Sequence, residues 1–382
     1  MKRLMKAVLL GVLLCLLVSC ATTVHVRHLV PGEVDLKGER NLAIASTSRY
    51  RFSYGRPVSP WVSGLQETDF ALSSGFEANL TERVASLATQ MIVEAVQGTR
   101  YFSILLPEAT DAYLSLARSG ENSTYLMRER GFTMLLNSEI SYMDMDERVE
   151  SVDHTEFVTD GTGVSLEQVT RREYYLVQEA TLSLFYTISS LEDGRVMASE
   201  NLTDKAEQRT KIGTRYYETD GSYRDERDYN RILAPSFDSL FVEILDECTS
   251  RMALQLAPSW ESEHLSLMKN KPKLAAAEIA HKDAENREYR KAYEEFLGLW
   301  QQNQHVSSGY NAALMLAGLG ELQDAVDLMN EVYNVSGNKR AYDTLLVLQE
   351  ALSQDQLAQR QISGESVDDG QGVTMTHYLV ME

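Results

Sequence analysis

The chain has 382 residues, 43% of them hydrophobic, and a formal net charge of −20. That is room for two or three folded domains, and it is too apolar for a disordered tail. So acidic a chain repels polyphosphate and anionic lipid alike, which argues against a nucleic-acid partner and against adhesion to membranes by overall charge.

The N-terminus carries Lys2, Arg3 and Lys6, then an apolar run from Ala7 to Leu17. A basic start and a short apolar stretch describe an export signal, since a membrane span needs roughly 20 apolar residues. The run ends in Leu17-Val18-Ser19-Cys20, which resembles the lipobox of bacterial lipoproteins. The resemblance implies removal of residues 1–19 as a signal peptide and lipidation of Cys20 with diacylglyceryl and palmitate-type chains. Each buried methylene contributes about 0.8 kcal/mol, so one chain holds marginally and two or three hold stably. Ala21 replaces the aspartate that favours inner-membrane retention, so the resemblance implies the outer membrane, facing the periplasm. Cys15 would leave with the signal and Cys20 would be acylated, so Cys248 has no internal disulfide partner. It lies in an apolar helical pattern and is expected to be a buried, inert thiol.

Residues 20–40 read as a lipidated N-terminus and polar tether containing Pro31-Gly32. Residues 41–260 read as a mixed α/β domain. Leu42-Ala43-Ile44-Ala45 predicts a buried strand, and residues 49–75, with three glycines and two prolines, a long structured loop. Leu80, Val84, Leu87, Ala88, Met91 and Ala95 share one helical face, capped by Asn79 or Thr81 and ended at Gly98. Tyr101–Leu106 predicts a second strand, stopped by Pro107, and strand-helix-strand suggests a parallel pair with a right-handed crossover.

A short helix is expected over 121–130 and a third strand from Phe132, running into the acidic stretch 141–153. Residues 154–172 look like an excursion. Tyr174–Leu191 alternates as a strand, Asp193-Gly194 is a hairpin turn, and Val196–Leu202 pairs back. Residues 203–232, highly charged, predict a solvated extension or loop. Within it Tyr216, Tyr217, Tyr223, Arg224 and Arg227 form a candidate interface, since Tyr and Arg favour recognition surfaces. A helix over 237–256 closes the domain before Pro258.

From residue 271 to 362 the chain is continuous helix former with an internal repeat. Ala292, Ala325 and Ala358 are 33 residues apart, and Phe296, Met329 and Ile362 follow each by four. Ala313, Leu316 and Gly320 precede Ala325, so the segment resembles tetratricopeptide repeats, in which small residues let antiparallel helices approach and glycine makes the turn. Residues 363–382 form a Gly- and Asp-rich C-terminal tail, with alternation from Val373 to Leu379 that suits a late strand. The fold class expected is α+β: a mixed sheet with flanking helices, followed by an all-α tetratricopeptide-like repeat domain.

The path from Val34-Asp35-Leu36-Lys37-Gly38 through the first strand, the helix, the later strands and the hairpin turn at Leu191–Val196 resembles the domain of the curli-export lipoprotein and of the lipoprotein activators of penicillin-binding proteins. The resemblance spans roughly 34–260 and implies a similar sheet-and-helix fold. Curli-export relatives insert hairpins to form a pore. Here one face of 141–153 carries Glu147 and Asp153 beside Met143, Met145 and Val149, and the other carries Asp144, Asp146, Arg148 and Glu150. Charges at membrane depth cost about 2–4 kcal/mol each, so neither face suits lipid.

No nucleophile elbow, phosphate-binding glycine loop or His-Glu-x-x-His motif occurs. His25 and His28 read as a solvated pair in the tether, and His154 with Asp153 and Glu156 as an acidic loop, so no catalytic, metal or cofactor site is expected. The function expected is a non-enzymatic, membrane-anchored scaffold or envelope-assembly factor whose helical repeats take a protein or peptide partner. The alternatives are a subunit of an oligomeric outer-membrane export ring and an envelope hydrolase without a known motif.

Overall fold

A computed structural model describes residues 22–51, 79–118, 123–159, 166–217, 221–227 and 236–364. The signal, Cys20, most of the glycine-rich loop, Arg227's neighbours beyond the strand and the C-terminal tail with its expected late strand lie outside the described residues. The fold is α+β, with a mixed sheet flanked by helices and a C-terminal run of helices. The chain divides into two compact units, Glu33–Ala257 and the pairing of Met1–Gly32 with Pro258–Glu382.

The Glu33–Ala257 unit is built on a six-stranded sheet. Its elements are β2 (Asn41–Ile44), α1 (Leu80–Gly98), β3 (Ser103–Leu105), α2 (Pro107–Arg118), α3 (Ser123–Glu129), β4 (Met134–Thr159), β5 (Leu166–Ser190), β6 (Val196–Tyr217), β7 (Tyr223–Arg227) and α4 (Asp238–Leu256), with β1 (Thr23–Val30) belonging to the other unit. The order is β3-β2-β4-β5-β6-β7. β2 pairs in parallel with β3 and β4, and the remaining pairs are antiparallel. The parallel pair flanking the α1 crossover follows from the short apolar strands and the long helix between them. Pro107 does not simply stop β3: it opens α2, where a residue without an N–H costs nothing in the first turn.

One core lies between the sheet and helices α1 and α4. It joins Leu42, Ile44, Leu80, Val84, Ala88, Ile92, Leu182, Leu184, Tyr186, Phe241, Ile244 and Cys248. Cys248 is fully buried, its Sγ 3.6 Å from the Leu202 carbonyl, and burial pushes its thiol up to about 11. The turn after β5 places Gly194 at φ +74°, the left-handed region that glycine adopts without strain.

Two expectations change in this unit. Among the described residues, 154–159 and 166–172 are strand and not an excursion, and 203–217 and 223–227 are strand and not a loop: β4 runs for 26 residues, β5 for 25 and β6 for 22, with β7 added. Charged runs such as Arg171-Arg172-Glu173 and Arg224-Asp225-Glu226-Arg227 hid the strands, because side chains that pair across the strands of a ribbon leave no apolar alternation.

Among its described residues the second unit holds β1, β8 (Ser259–Ser266) and five helices, α5 (Ala275–Glu285), α6 (Tyr289–Asn303), α7 (Val306–Gly318), α8 (Leu322–Ser336) and α9 (Lys339–Ser363). α5/α6 and α7/α8 are the two repeated pairs. Ala292, Phe296, Ala313, Leu316, Ala325 and Met329 are buried between them, and Gly320 makes the turn before α8 at φ +83°. The third repeat is absent. Ala358 is buried within α9, one uninterrupted 25-residue helix that closes the stack.

Residues 271–362 are all-α as expected, but residues 22–30 are not a tether. β1 pairs antiparallel with β8 from Thr23↔Ser266 to Val30↔Ser259. Its alternation, Val24, Val26, His28 inward and His25, Arg27 outward, is the half-buried strand pattern, masked in the sequence by two histidines.

Candidate interaction surface

Beyond the core, β4, β5, β6 and β7 continue as an arm. Its base is marked by a ladder of polar side chains next to Met143, Met145, Ala180 and Ala206 of the core. Fully buried Gln178 donates through Nε2 to Glu147 Oε1 at 2.6 Å. Gln208 Nε2 donates to Gln178 Oε1 at 2.6 Å, and Ser239 Oγ of α4 to Gln208 Oε1 at 3.3 Å. Amides can give and accept at once, so each buried group in the chain is satisfied as the sheet leaves the core.

Past the ladder, one face carries stacked tyrosines and arginines. Arg215 donates through Nε and Nη2 to both oxygens of Asp225, at 2.7 and 2.8 Å, with its guanidinium 4.0 Å from the Tyr223 ring centre and 6.0 Å from that of Tyr174. Arg172 makes the same fork on Asp153, at 2.6 and 2.9 Å, with its guanidinium 5.8 Å from the Tyr217 ring. The Asp225 fork raises Arg215 above the ordinary arginine range, and the Arg172 fork lowers Asp153. Planar guanidiniums can hold a carboxylate at the edge and a ring on the face, which fixes these side chains by polar contact and stacking.

The opposite face is an ion lattice. Arg148 bonds Glu150 and Glu179, each at 2.9 Å, and Glu207 at 3.3 Å, across three strands. Next to it Glu173 accepts from Tyr175 Oη at 2.6 Å and Lys211 Nζ at 2.9 Å, and lies 3.1 Å from His154 Nε2. The Tyr175 bond first, then Lys211, lowers the Glu173 carboxyl to about 2. Arg209 stacks on Tyr175 at 4.1 Å and Arg224 on Tyr216 at 4.7 Å.

The five interface residues read from the sequence thus divide. Tyr217 and Tyr223 lie on the first face, Tyr216 and Arg224 on the second, and Arg227 pairs opposite Gly213 at the end of β7. The sequence reading missed Arg172, Tyr174, Arg215 and Asp225. Their signal was present as Arg171-Arg172-Glu173-Tyr174-Tyr175 on β5, which lies beside Arg215-Tyr216-Tyr217 on β6. Asp153 and His154, expected in an acidic loop, lie on β4 and point to opposite faces, one to Arg172 and the other to Glu173. Among the described residues no group of three His, Cys, Asp or Glu is placed to hold a metal ion.

In the helical unit, the face shared by α7 and α9 is covered by β1. Val24 and Val26 join the cluster of Tyr310, Ala313, Ala317, Leu345 and Leu348. The strand is pinned along α9: His28 Nε2 lies 2.9 Å from Gln354 Oε1, Leu29 N donates to Asp355 at 3.0 Å, and Gly32 N to Gln361 at 2.8 Å. A Cβ on Gly318 would sit 2.7 Å from Val24 Cγ1, so α7 has a glycine where the strand crosses it. His28, expected in a solvated tether, is therefore buried, and His25 stacks on His264 at 4.3 Å. The chain's own strand occupies this face of α7 and α9.

The Glu33–Ala257 unit also has an open pocket of about 770 Å³ between β2, α1 and α2, lined by Ser46, Thr47, Arg49, Glu82, Thr89 and Glu108 among others. Arg49 is paired with Glu82, Thr47 N donates to Thr89 Oγ1, and Thr47 Oγ1 lies 2.8 Å from Ser138 Oγ. No nucleophile–base pair converges there.

No protein-family model and no curated protein matches this chain. Among solved structures it is similar to a PelC dodecamer from Paraburkholderia phytofirmans, at 10% identity and a TM-score of 0.21, covering 61% of this chain and 98% of that one. It is similar also to a protein described as a neuraminyllactose-binding hemagglutinin homolog from Helicobacter pylori, at 10% identity and a TM-score of 0.24, covering 58% of this chain and 86% of that one.

Proposed function

We propose that this protein is a lipid-anchored, non-enzymatic envelope protein that recognises a protein partner through the β4–β7 arm. The observation that carries the reading is the arm itself. Strands of 26, 25 and 22 residues continue past their own core and carry a lattice of tyrosines and arginines, the residues that dominate recognition hot spots. Acylation of Cys20 would hold the protein at the outer membrane on its periplasmic face. The face of α7 and α9 is occupied by β1, which favours the arm over the repeats as the contact surface.

The test has two parts. The Cys20→Ser chain is expected to leave the envelope fraction, and unchanged partitioning would remove the anchor from the reading. Photo-crosslinkers at Tyr216 and Tyr223 are expected to capture one defined partner band in intact cells, with a crosslinker at Gln323 on α8 as the control. Capture at Gln323 but not at the two tyrosines would reject the arm.

A second reading has an observation of its own. Among the described residues no strand pairs with β4 beyond Ile140 on the side away from β5, so that edge from 142 to 159 is a template for another strand. Arms from several copies closing edge to edge would make the protein a subunit of an export or assembly ring. Mass measurement of the acylated protein in detergent discriminates: a monomer with a bound partner fits the first reading and a closed homo-oligomer the second.

A further inference from the structure

The helical unit is fixed almost at the point where the acyl chains would enter. Thr22, the first described residue, accepts a bond from Leu267 N through its carbonyl at 2.9 Å, and its Oγ1 donates to Glu285 at 3.2 Å. It lies two positions after Cys20, a reach of at most about 7 Å. Whatever surface surrounds Thr22 therefore faces the bilayer.

That surface departs from the acidic balance of the chain. The loop Lys269-Asn270-Lys271-Pro272-Lys273 leaves all three lysines exposed, with Lys282 and Arg340 exposed nearby. Lys269, Arg340 and Thr22 line one pocket of about 430 Å³ together with Glu278, His281 and Glu285. The two carboxylates are engaged, Glu285 by Thr22 and Glu278 by Asn270 Nδ2 at 2.9 Å. Buried side chains clamp the loop from Met268 to Leu274. Asn311 accepts from Met268 N at 2.7 Å and donates to its carbonyl at 3.0 Å. Ser307 Oγ donates to the Lys271 carbonyl at 3.0 Å, and His305 Nε2 lies 2.9 Å from that of Pro272. Asn270 bonds both the N–H and the carbonyl of Leu274. Four buried polar residues thus hold rigid a loop whose exposed side chains are cations.

We propose that this end of the helical unit lies on the membrane surface, with Lys269, Lys271 and Lys273 against anionic lipid headgroups. The inference rests on acylation of Cys20 and adds an orientation to it. Each lysine near an anionic leaflet raises partitioning roughly fivefold. The acidic remainder of the chain is repelled by the same leaflet, so the field turns this end inward and the rest outward.

The test uses the full acylated chain, its lipid confirmed by mass, in vesicles of phosphatidylethanolamine and phosphatidylglycerol bearing a headgroup nitroxide. A fluorophore is placed on Lys269→Cys or on Gln359→Cys, about 28 Å farther along α9 than Arg340. Cys248 is buried and escapes labelling. Quenching is expected to be several-fold stronger at position 269 than at 359. In K271E/K273E, and in vesicles without phosphatidylglycerol, it is expected to fall toward the level at 359. Equal quenching at both sites, or quenching at 269 unmoved by charge reversal, overturns the orientation while leaving the anchor intact. A chain without acyl groups overturns the anchor and this inference with it.

Discussion

Glu173 sits where the arm's two kinds of order meet, since one carboxylate serves a tyrosine, a lysine and a histidine. Its folded pKa of about 2 lies below the ordinary 4.5. The unfolded chain therefore binds more protons between those values, so the stability this group contributes is complete above about 4.5 and is lost as pH falls to about 2. The tyrosine near-ultraviolet dichroism of the arm is expected to fade across that window, and Glu173→Gln is expected to flatten the change. A wild-type signal constant down to pH 2 would mean the lattice does not depend on this charge. Gly318 makes the other residue-scale case. Gly318→Ala places a methyl group 2.7 Å from Val24, an overpacking expected to cost about 1–3 kcal/mol in the helical unit's melting. An unchanged midpoint would show β1 free to move aside. Little of this was legible beforehand. The Gly320 turn is a local conformational demand and can be read from one sequence, whereas the Gly318 demand comes from a strand almost 300 residues away.

At the scale of elements the legible part follows burial. The α1 periodicity, the short apolar strands and the small-residue spacing of α6–α8 were readable because hydrophobic position alone decides them. What escaped was order without a core. β6 through residue 217 and β7 hold their side chains by Tyr–Arg stacking and carboxylate forks, for which hydropathy carries no signal. β1 escaped because an eight-residue strand with two histidines has its partner at the other end of the chain. The strand's role can be isolated. A chain lacking residues 1–32 exposes the sites of Val24, Val26 and Leu29, each worth roughly 1.5–3 kcal/mol of burial. Its helical unit is expected to melt earlier, and a synthetic peptide of residues 22–32 added in trans is expected to restore the midpoint. Peptides with Val24→Asp and Val26→Asp are expected to fail, since an unpaired carboxylate would enter an apolar site. Restoration by the altered peptide would mean the face of α7 and α9 is not selective for this strand.

For the whole molecule, the chain order and the folding order differ. The sequence suggested two consecutive domains, but the Glu33–Ala257 unit interrupts the helical unit, which takes both of its strands from either side of it. An insertion is tolerated when its ends lie together, because the host then pays little closure entropy. That condition holds on both sides. Val30 pairs opposite Ser259 in the host, and Val34 N donates to the Gln255 carbonyl at 3.0 Å in the guest. Each unit also has its own apolar cluster, Phe241 and Tyr186 in one, Phe296 and Tyr310 in the other. Replacing Pro31–Pro258 by a two-residue Asn-Gly turn would join Val30 to Ser259 and make β1 and β8 a simple hairpin. The shortened chain is expected to melt cooperatively, at the same midpoint as the helical unit within the full protein, by circular dichroism at the helical band. A non-cooperative transition would show that the helical unit borrows stability from its guest, and would count against the two units having evolved as separable modules.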